Sequence, residues 1–165
     1  MSFEVLDLRK YNLPFFDEES SNLRAPSKNP YAIKWQKDLA KFDGFVFVVA
    51  EYNRSLPASL KNALDQAYRE WMHKPFTAIA YSGSGGARTL EHLRTIAMEL
   101  HMVSTRSAVH IGGSDFMEIY PNFAGKSIKS IEARLLPSCN SALNELKWWL
   151  SATMHQRSEE AEQGK

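Results

Sequence analysis

Cysteine is nearly absent from this chain of 165 residues; Cys139 stands alone. One thiol closes no internal disulfide, which fits a reducing compartment. Long apolar runs are missing too, and none approaches the roughly 20 residues of a membrane-spanning helix. Neither sign of charge is in excess. Twenty Lys and Arg (20) face nineteen Asp and Glu (19), for a formal net charge of +1. No global basic field therefore draws the chain to nucleic acid or to anionic lipid. The first residues lack the basic start and apolar stretch of a secretory signal. The expectation is a cytoplasmic protein with no nucleic-acid and no membrane partner, in which the sequon Asn53-Arg54-Ser55 is chance. His73, His92, His101, His110 and His155 show no metal-ligand spacing. No G-x-S-x-G elbow announces a nucleophilic serine.

What is present suits one globular domain with a sizeable core, at 44% hydrophobic and 24% charged residues. Residues 1–155 are expected to form that domain, and 156–165 a polar, frayed tail. Phe3 to Leu8 is a short strand candidate, and Tyr11 to Pro30, with three prolines, is loop. Tyr31 to Phe42 reads as a helix. Phe45 to Ala50 is apolar without alternation, as in a parallel strand buried on both faces. Leu56, Leu60, Leu64, Ala67, Tyr68 and Trp71 recur at helical spacing, with Ser55 as N-cap and Pro57 in the first turn. A strand over Phe76–Tyr81 leads through Gly83, Gly85 and Gly86 into a helix from Ala87 to about His101. Ser107 to Ile111 is a last strand, 112–125 is loop, and Ala142 to Met154 is a helix, with Pro137 marking a start or a kink. Alternating strands and helices imply a parallel sheet covered on both faces.

Ligands of such sheets bind outside the carboxyl ends of the strands. Two segments stand there: Glu51-Tyr52-Asn53, and Ser82-Gly83-Ser84-Gly85-Gly86-Ala87-Arg88. Both lead into helix starts, whose free N–H groups favour electron-rich atoms. Glycines let a backbone approach a flat polar ring, and Tyr52 is placed to cover its face. An ordinary strand-to-helix turn explains the glycines equally well. Neither the phosphate-loop signature nor G-x-G-x-x-G is met, since Arg88 fills the last position. Glu51 also reads as a helix-start carboxylate, and Arg88 as the partner of a surface acid. Trp148 and Trp149 are core or subunit interface, and Cys139 a small packed residue.

Four stretches resemble the NADPH-dependent FMN reductase family of flavodoxin-like flavoproteins: "DLRKYNLPFFDEE", "DGFVFVVAEYNRSLPASLKNALDQAYREW", "KPFTAIAYSGSGGARTLEHLR" and "ALNELKWWLSA". The second is similar to the family's most specific motif, a strand ending in P-E-Y-N, then S-x-P, then L-K-N-A-x-D-W. The resemblance implies a flavodoxin-like three-layer α/β sandwich. It implies FMN as cofactor, NAD(P)H as hydride donor, and a flavin, quinone or similar small molecule as electron acceptor. By position it implies ring contacts from Glu51, Tyr52, Asn53, Ser82, Gly83, Gly85 and Gly86, with Arg54 and Ser55 beside the ring edge, and no side chain acting as a covalent catalyst. It also implies a homodimer or homotetramer, for which Tyr68 and Trp71 are candidate interface residues unless they are buried in the chain's own core. Ala50 stands where the motif has proline, and Gln66 where it has tryptophan.

The larger departure is N-terminal. The family opens with a central strand, a turn that cradles the FMN phosphate, and a helix; this chain resembles it from the second strand onward. Removing one strand leaves a gap of about 10 Å between its former neighbours. The strand at Phe3–Leu8 is then expected to pair directly with Phe45–Ala50, to detach and leave an exposed edge, or to await a segment supplied from elsewhere. A shortened module without tight FMN binding, acting in oligomerisation or regulation, is the alternative function.

Overall fold

The computed structural model describes residues 1–164. Four parallel strands form one sheet: β1 (Phe45–Ala50), β2 (Pro75–Tyr81), β3 (Val103–Ser104) and β4 (Val109–Ile111). β1 lies along one side of β2, in the register Phe45 to Phe76 through Ala50 to Tyr81. β3 and β4 share the other side, at its start and its end. Five helices complete the chain: α1 (Pro30–Leu39), α2 (Ala58–Asp65), α3 (Ala87–Glu99), α4 (Gly113–Ile119) and α5 (Glu132–Glu162).

Periodicity in the sequence becomes layers here. Trp35 and Leu39 of α1, Ala63 and Leu64 of α2, and Leu90, Leu93 and Ala97 of α3 form one buried cluster with Phe47, Val49, Phe76, Ala78 and Ala80 of the sheet. A second cluster joins Val109 and Ile111 to Ile131, with Ile79, Phe116, Leu135 and Cys139 packed around it. Alternation along β2 thus sends Phe76, Ala78 and Ala80 to one layer and Ile79 to the other, giving the three-layer α/β sandwich expected. Trp71 belongs to the first cluster and is buried, so it is core and not an interface residue. Its indole N–H donates to Leu64 O at 3.2 Å.

Gln66, standing where the motif has tryptophan, is also buried. Its amide donates to Pro14 O at 2.7 Å, and Asn62 donates to the same carbonyl at 2.9 Å. The proline-rich segment is thereby tied down on α2, its carbonyl satisfied in place of water.

Several expectations are corrected. Phe3–Leu8 is not a strand: it is unpaired, without regular secondary structure up to Asp7, and ends in a 3-10 turn at Leu8–Lys10. Leu6 and Leu8 pack on the core, but Val5 is 86% exposed. A strand needs a ladder, and β1's outer edge pairs with nothing among the described residues. β1 is accordingly buried on one face only; Val48 is 67% exposed. The helix after Pro57 stops at Asp65, and Pro57, not Ser55, is its N-cap residue. The stretch 112–125 contains α4. α5 begins at Glu132 with Pro137 inside it, and runs to Glu162 through the tail expected to fray.

Candidate functional site

Three strand ends converge. β1 ends at Ala50, and the Glu51 N–H still continues the ladder, donating to Tyr81 O at 3.0 Å. Next comes a two-residue reversal: Tyr52 N–H donates to Ser55 O at 2.8 Å and Ser55 N–H to Tyr52 O at 2.9 Å. Asn53 (φ 48) and Arg54 (φ 67) are both left-handed, as a type I′ turn requires. Asparagine tolerates that region; arginine does so at a cost of about 1 kcal/mol. The turn therefore stands proud of the sheet, with Tyr52, Asn53 and Arg54 exposed.

At the end of β2, Ser82 organises the glycine turn. Its hydroxyl accepts from Gly86 N–H at 3.0 Å and Ser84 N–H at 3.1 Å, while Gly85 N–H donates to Ser82 O at 3.0 Å. Gly86 is left-handed (φ 69), and a Cβ there would lie 2.8 Å from Tyr81 N. Gly83 differs: a Cβ built on it meets no heavy atom within 4 Å, so its face is open. Ser82 is thus occupied in shaping the turn, and Gly83 offers the free approach.

The end of β4 completes the cluster, in a stretch whose composition reads as loop. Gly113 N–H donates to Gly83 O at 3.1 Å, and Ser82 N–H to Ile111 O at 3.2 Å. Gly112 sits so close to Gly85 that a Cβ would fall 2.6 Å from its Cα. His110 Nδ1 lies 2.8 Å from Gly85 O; a carbonyl only accepts, so Nδ1 carries the proton. A Gly-Gly pair after an apolar stretch is the signal that marks this third loop.

Arg88 binds the first two loops together. Its Nε donates to Glu51 Oε1 at 2.8 Å, its Nη2 lies 2.6 Å from the same oxygen, and Nη2 also donates to Ser84 Oγ at 3.0 Å. Just behind, the hydroxyl of fully buried Thr89 donates to Ala50 O at 3.2 Å, pinning the start of α3 to the end of β1. The Glu51 side chain is only 6% exposed, and Oε2 is buried with no partner among the described residues. An orphaned buried acceptor costs about 1–3 kcal/mol, more when charged, so it calls for an explanation.

Glu51, Tyr52, Asn53, Ser82, Gly83, Gly85 and Gly86 are therefore brought to one end of the sheet, together with Gly112, Gly113, His110 and Arg88. Ser55 turns away: its hydroxyl pairs with His92 Nδ1 of α3 at 2.9 Å. It lines a separate open depression of ≈ 670 Å³ with Leu56, Lys61 and His92.

A model of the NADPH-dependent FMN reductase family matches residues 1–115. An NAD(P)H-dependent FMN reductase of Saccharomyces cerevisiae is 32% identical over 108 residues, 62% of this chain and 56% of the relative. A 2-hydroxy-1,4-benzoquinone reductase of a Burkholderia species is 40% identical over 109 residues, again 62% and 56% of the two chains. The chain thus spans about half the length of the curated relatives it matches. Among solved structures, FerB, a flavoenzyme NAD(P)H:(acceptor) oxidoreductase of Paracoccus denitrificans, superposes with a TM-score of 0.65 at 19% identity. That superposition covers 88% of this chain and 80% of FerB, and it supports the fold alone.

Proposed function

Because the chain belongs to the NADPH-dependent FMN reductase family, we propose that it binds the flavin ring of FMN at the three strand ends and reduces a small-molecule acceptor such as a quinone or free flavin. When bound, FMN would supply the redox chemistry, taking hydride from NAD(P)H and passing two electrons to the acceptor. The protein's share is positioning. Glu51, Tyr52 and Asn53 approach the ring from β1, with Arg54 at its edge; the Ser55 hydroxyl, turned toward His92, leaves that group. Ser82, Gly83, Gly85 and Gly86 approach from β2.

The observation that carries this reading is the open glycine face. Gly83 and Gly113 both have free space where a side chain would project, and they are held side by side by the Gly113–Gly83 hydrogen bond. A planar ring fits against such a backbone surface. The orphaned Glu51 Oε2 also fits a ligand that brings a donor.

A reducing, cytoplasmic setting agrees with the single cysteine. No helix among the described residues is long and apolar enough to cross a membrane. A homodimer or homotetramer follows from the family resemblance, and Trp148, 65% exposed on α5, is a candidate contact for it. The test is to reconstitute the purified chain with FMN, record the visible flavin bands after desalting, and follow NAD(P)H oxidation with a benzoquinone. Colourless protein that oxidises no NAD(P)H would defeat the enzyme reading.

The second reading is a module that holds flavin weakly and serves in oligomerisation or regulation; among the described residues the outer edge of β1 is unpaired. The resemblance places the phosphate-cradling turn next to that edge. A chain that keeps the ring contacts but not the phosphate contacts binds riboflavin as well as FMN. Equal affinities support the module; FMN favoured by tenfold or more supports the full cofactor site.

A further inference from the structure

Oxidised isoalloxazine carries one N–H on its ring system, at N3, between two carbonyls. A site that reads this edge must set a hydrogen-bond acceptor beside a donor. Glu51 and Arg88 offer that pair. Oε1 of Glu51 is engaged by Nε and Nη2 of Arg88, which leaves Oε2 as an acceptor with no donor among the described residues. Arg88 spends Nε on Glu51 and Nη2 on Glu51 and Ser84. Nη1 makes no hydrogen bond among the described residues and keeps its N–H groups to give.

The pair is asymmetric in burial. The carboxylate side chain is 6% exposed and the guanidinium 46%. The Glu51 N–H continues the β-ladder to Tyr81 O, and Arg88 is the more exposed member of the pair. Oε2 is thus a buried acceptor beside a half-exposed guanidinium donor, the complement of an imide edge.

We propose that Glu51 and Arg88 together read the imide edge of the flavin: Oε2 accepts the N3–H, and Arg88 donates to a flanking carbonyl. Glu51 is then a binding residue, and Arg88 both positions it and contributes a donor. The proposal rests on the flavin-site reading but makes a demand that reading does not: recognition must depend on the N3 proton.

Fluorescence titration of the full chain with riboflavin and with 3-methylriboflavin tests it without relying on turnover. The methyl group removes the only ring N–H and leaves the rest of the ring. A hydrogen bond to a charged acceptor corresponds to about 10- to 100-fold in affinity, so methylation is expected to weaken binding by that factor. In Glu51→Gln, whose amide N–H₂ takes the place of Oε2, riboflavin is expected to bind at least about tenfold more weakly. The preference over the methylated analogue should then collapse to within about threefold. Equal binding of the two flavins by the unaltered chain overturns the proposal while leaving the flavin site standing, and needs no variant to fold. Undiminished discrimination in Glu51→Gln overturns the assignment to Glu51. If the unaltered chain binds neither flavin, the flavin reading falls, and this proposal with it.

Discussion

β1 and β2 are neighbours of nearly equal length and almost equal apolarity, yet they occupy opposite situations. FVFVVA runs along the rim, paired on one side only among the described residues, with Val48 exposed. PFTAIAY runs through the middle, paired on both sides and buried along nearly its whole length. The more valine-rich strand is the more exposed one. Hydrophobicity reports what a strand tolerates, while burial is set by what the topology lays over it. Helix α5 has its main sheet contacts with β2 and β4, so the face of β1 that carries Val48 lies beyond its cover. The functional consequence is a division of labour. β2 anchors, and its glycine turn is locked to β4 from behind. β1 delivers Glu51 and the Tyr52–Ser55 turn from a strand with only one neighbour.

Truncating the middle strand should give the largest effect. Phe76 is fully buried, with its ring 5.5 Å from that of Phe47. Phe76→Ala is expected to cost about 3–5 kcal/mol, read as a lowered urea midpoint with little change in slope. A loss well under 2 kcal/mol would mean that Phe76 does not sit in a packed core. A smaller loss, about 2–3 kcal/mol, is expected for Gly86→Ala. The added methyl would lie 2.9 Å from Ala80 Cβ, at a left-handed position. Because α3 starts there, this variant should also disturb the Arg88–Glu51 pair and weaken flavin binding.

Both strands were legible in the sequence, β1 with its observed ends and β2 within one residue. Their unequal burial was not, because an unbroken apolar run carries no sign of which face lacks a covering helix. The run Phe3–Leu8 shows the converse: it has strand composition, and without a ladder it forms no strand. α4 was hidden by Gly112 and Gly113, whose glycines read as loop although they precede a helical turn. α5 was shortened by Pro137, which the long helix absorbs near its start. At the site, the two strand-end loops could be placed by topology alone. The Glu51–Arg88 pair spans 37 positions, and a contact at that distance depends on strand register, which local pattern does not encode.

Entry into β2 gives a prediction with a pH signature. Lys74 is buried just before Pro75, its ammonium donating to Leu39 O at 3.2 Å and lying 5.7 Å above the Phe45 ring. Burial, aided by the neighbouring Arg157 charge, pushes its pKa down to about 8. The unfolded chain keeps an ordinary lysine near 10.4. Between pH 8 and about 10.4 the unfolded state therefore binds more protons, and stability rises with pH across that window. Below pH 8 the cost of burying the charge is constant. Lys74→Met should be the more stable protein at pH 7, by on the order of 1–2 kcal/mol once residual solvent screening is allowed for. Its advantage should shrink as the pH approaches 10, a trend that parallel melts at pH 7 and 10 would resolve. An advantage that stays constant with pH would mean that the ammonium is not penalised by burial.

The smallest effect belongs to the rim. Val48 is 67% exposed in the middle of β1, so its side chain contributes little packing to lose. Threonine keeps the β-branched shape and strand preference while adding a hydroxyl that water can satisfy. Val48→Thr is thus expected to stay within about 0.5 kcal/mol of the parent in urea unfolding. The same exchange at Val49, nearly fully buried one residue on, places a hydroxyl inside the core and should cost about 1–3 kcal/mol. Adjacent positions on one strand then differ only in the face they present, which isolates topology from composition. A loss at Val48 as large as that at Val49 would mean that the outer face of β1 is covered in solution, by another copy of the chain or by a segment beyond the described residues, and the contrast between the two strands would disappear.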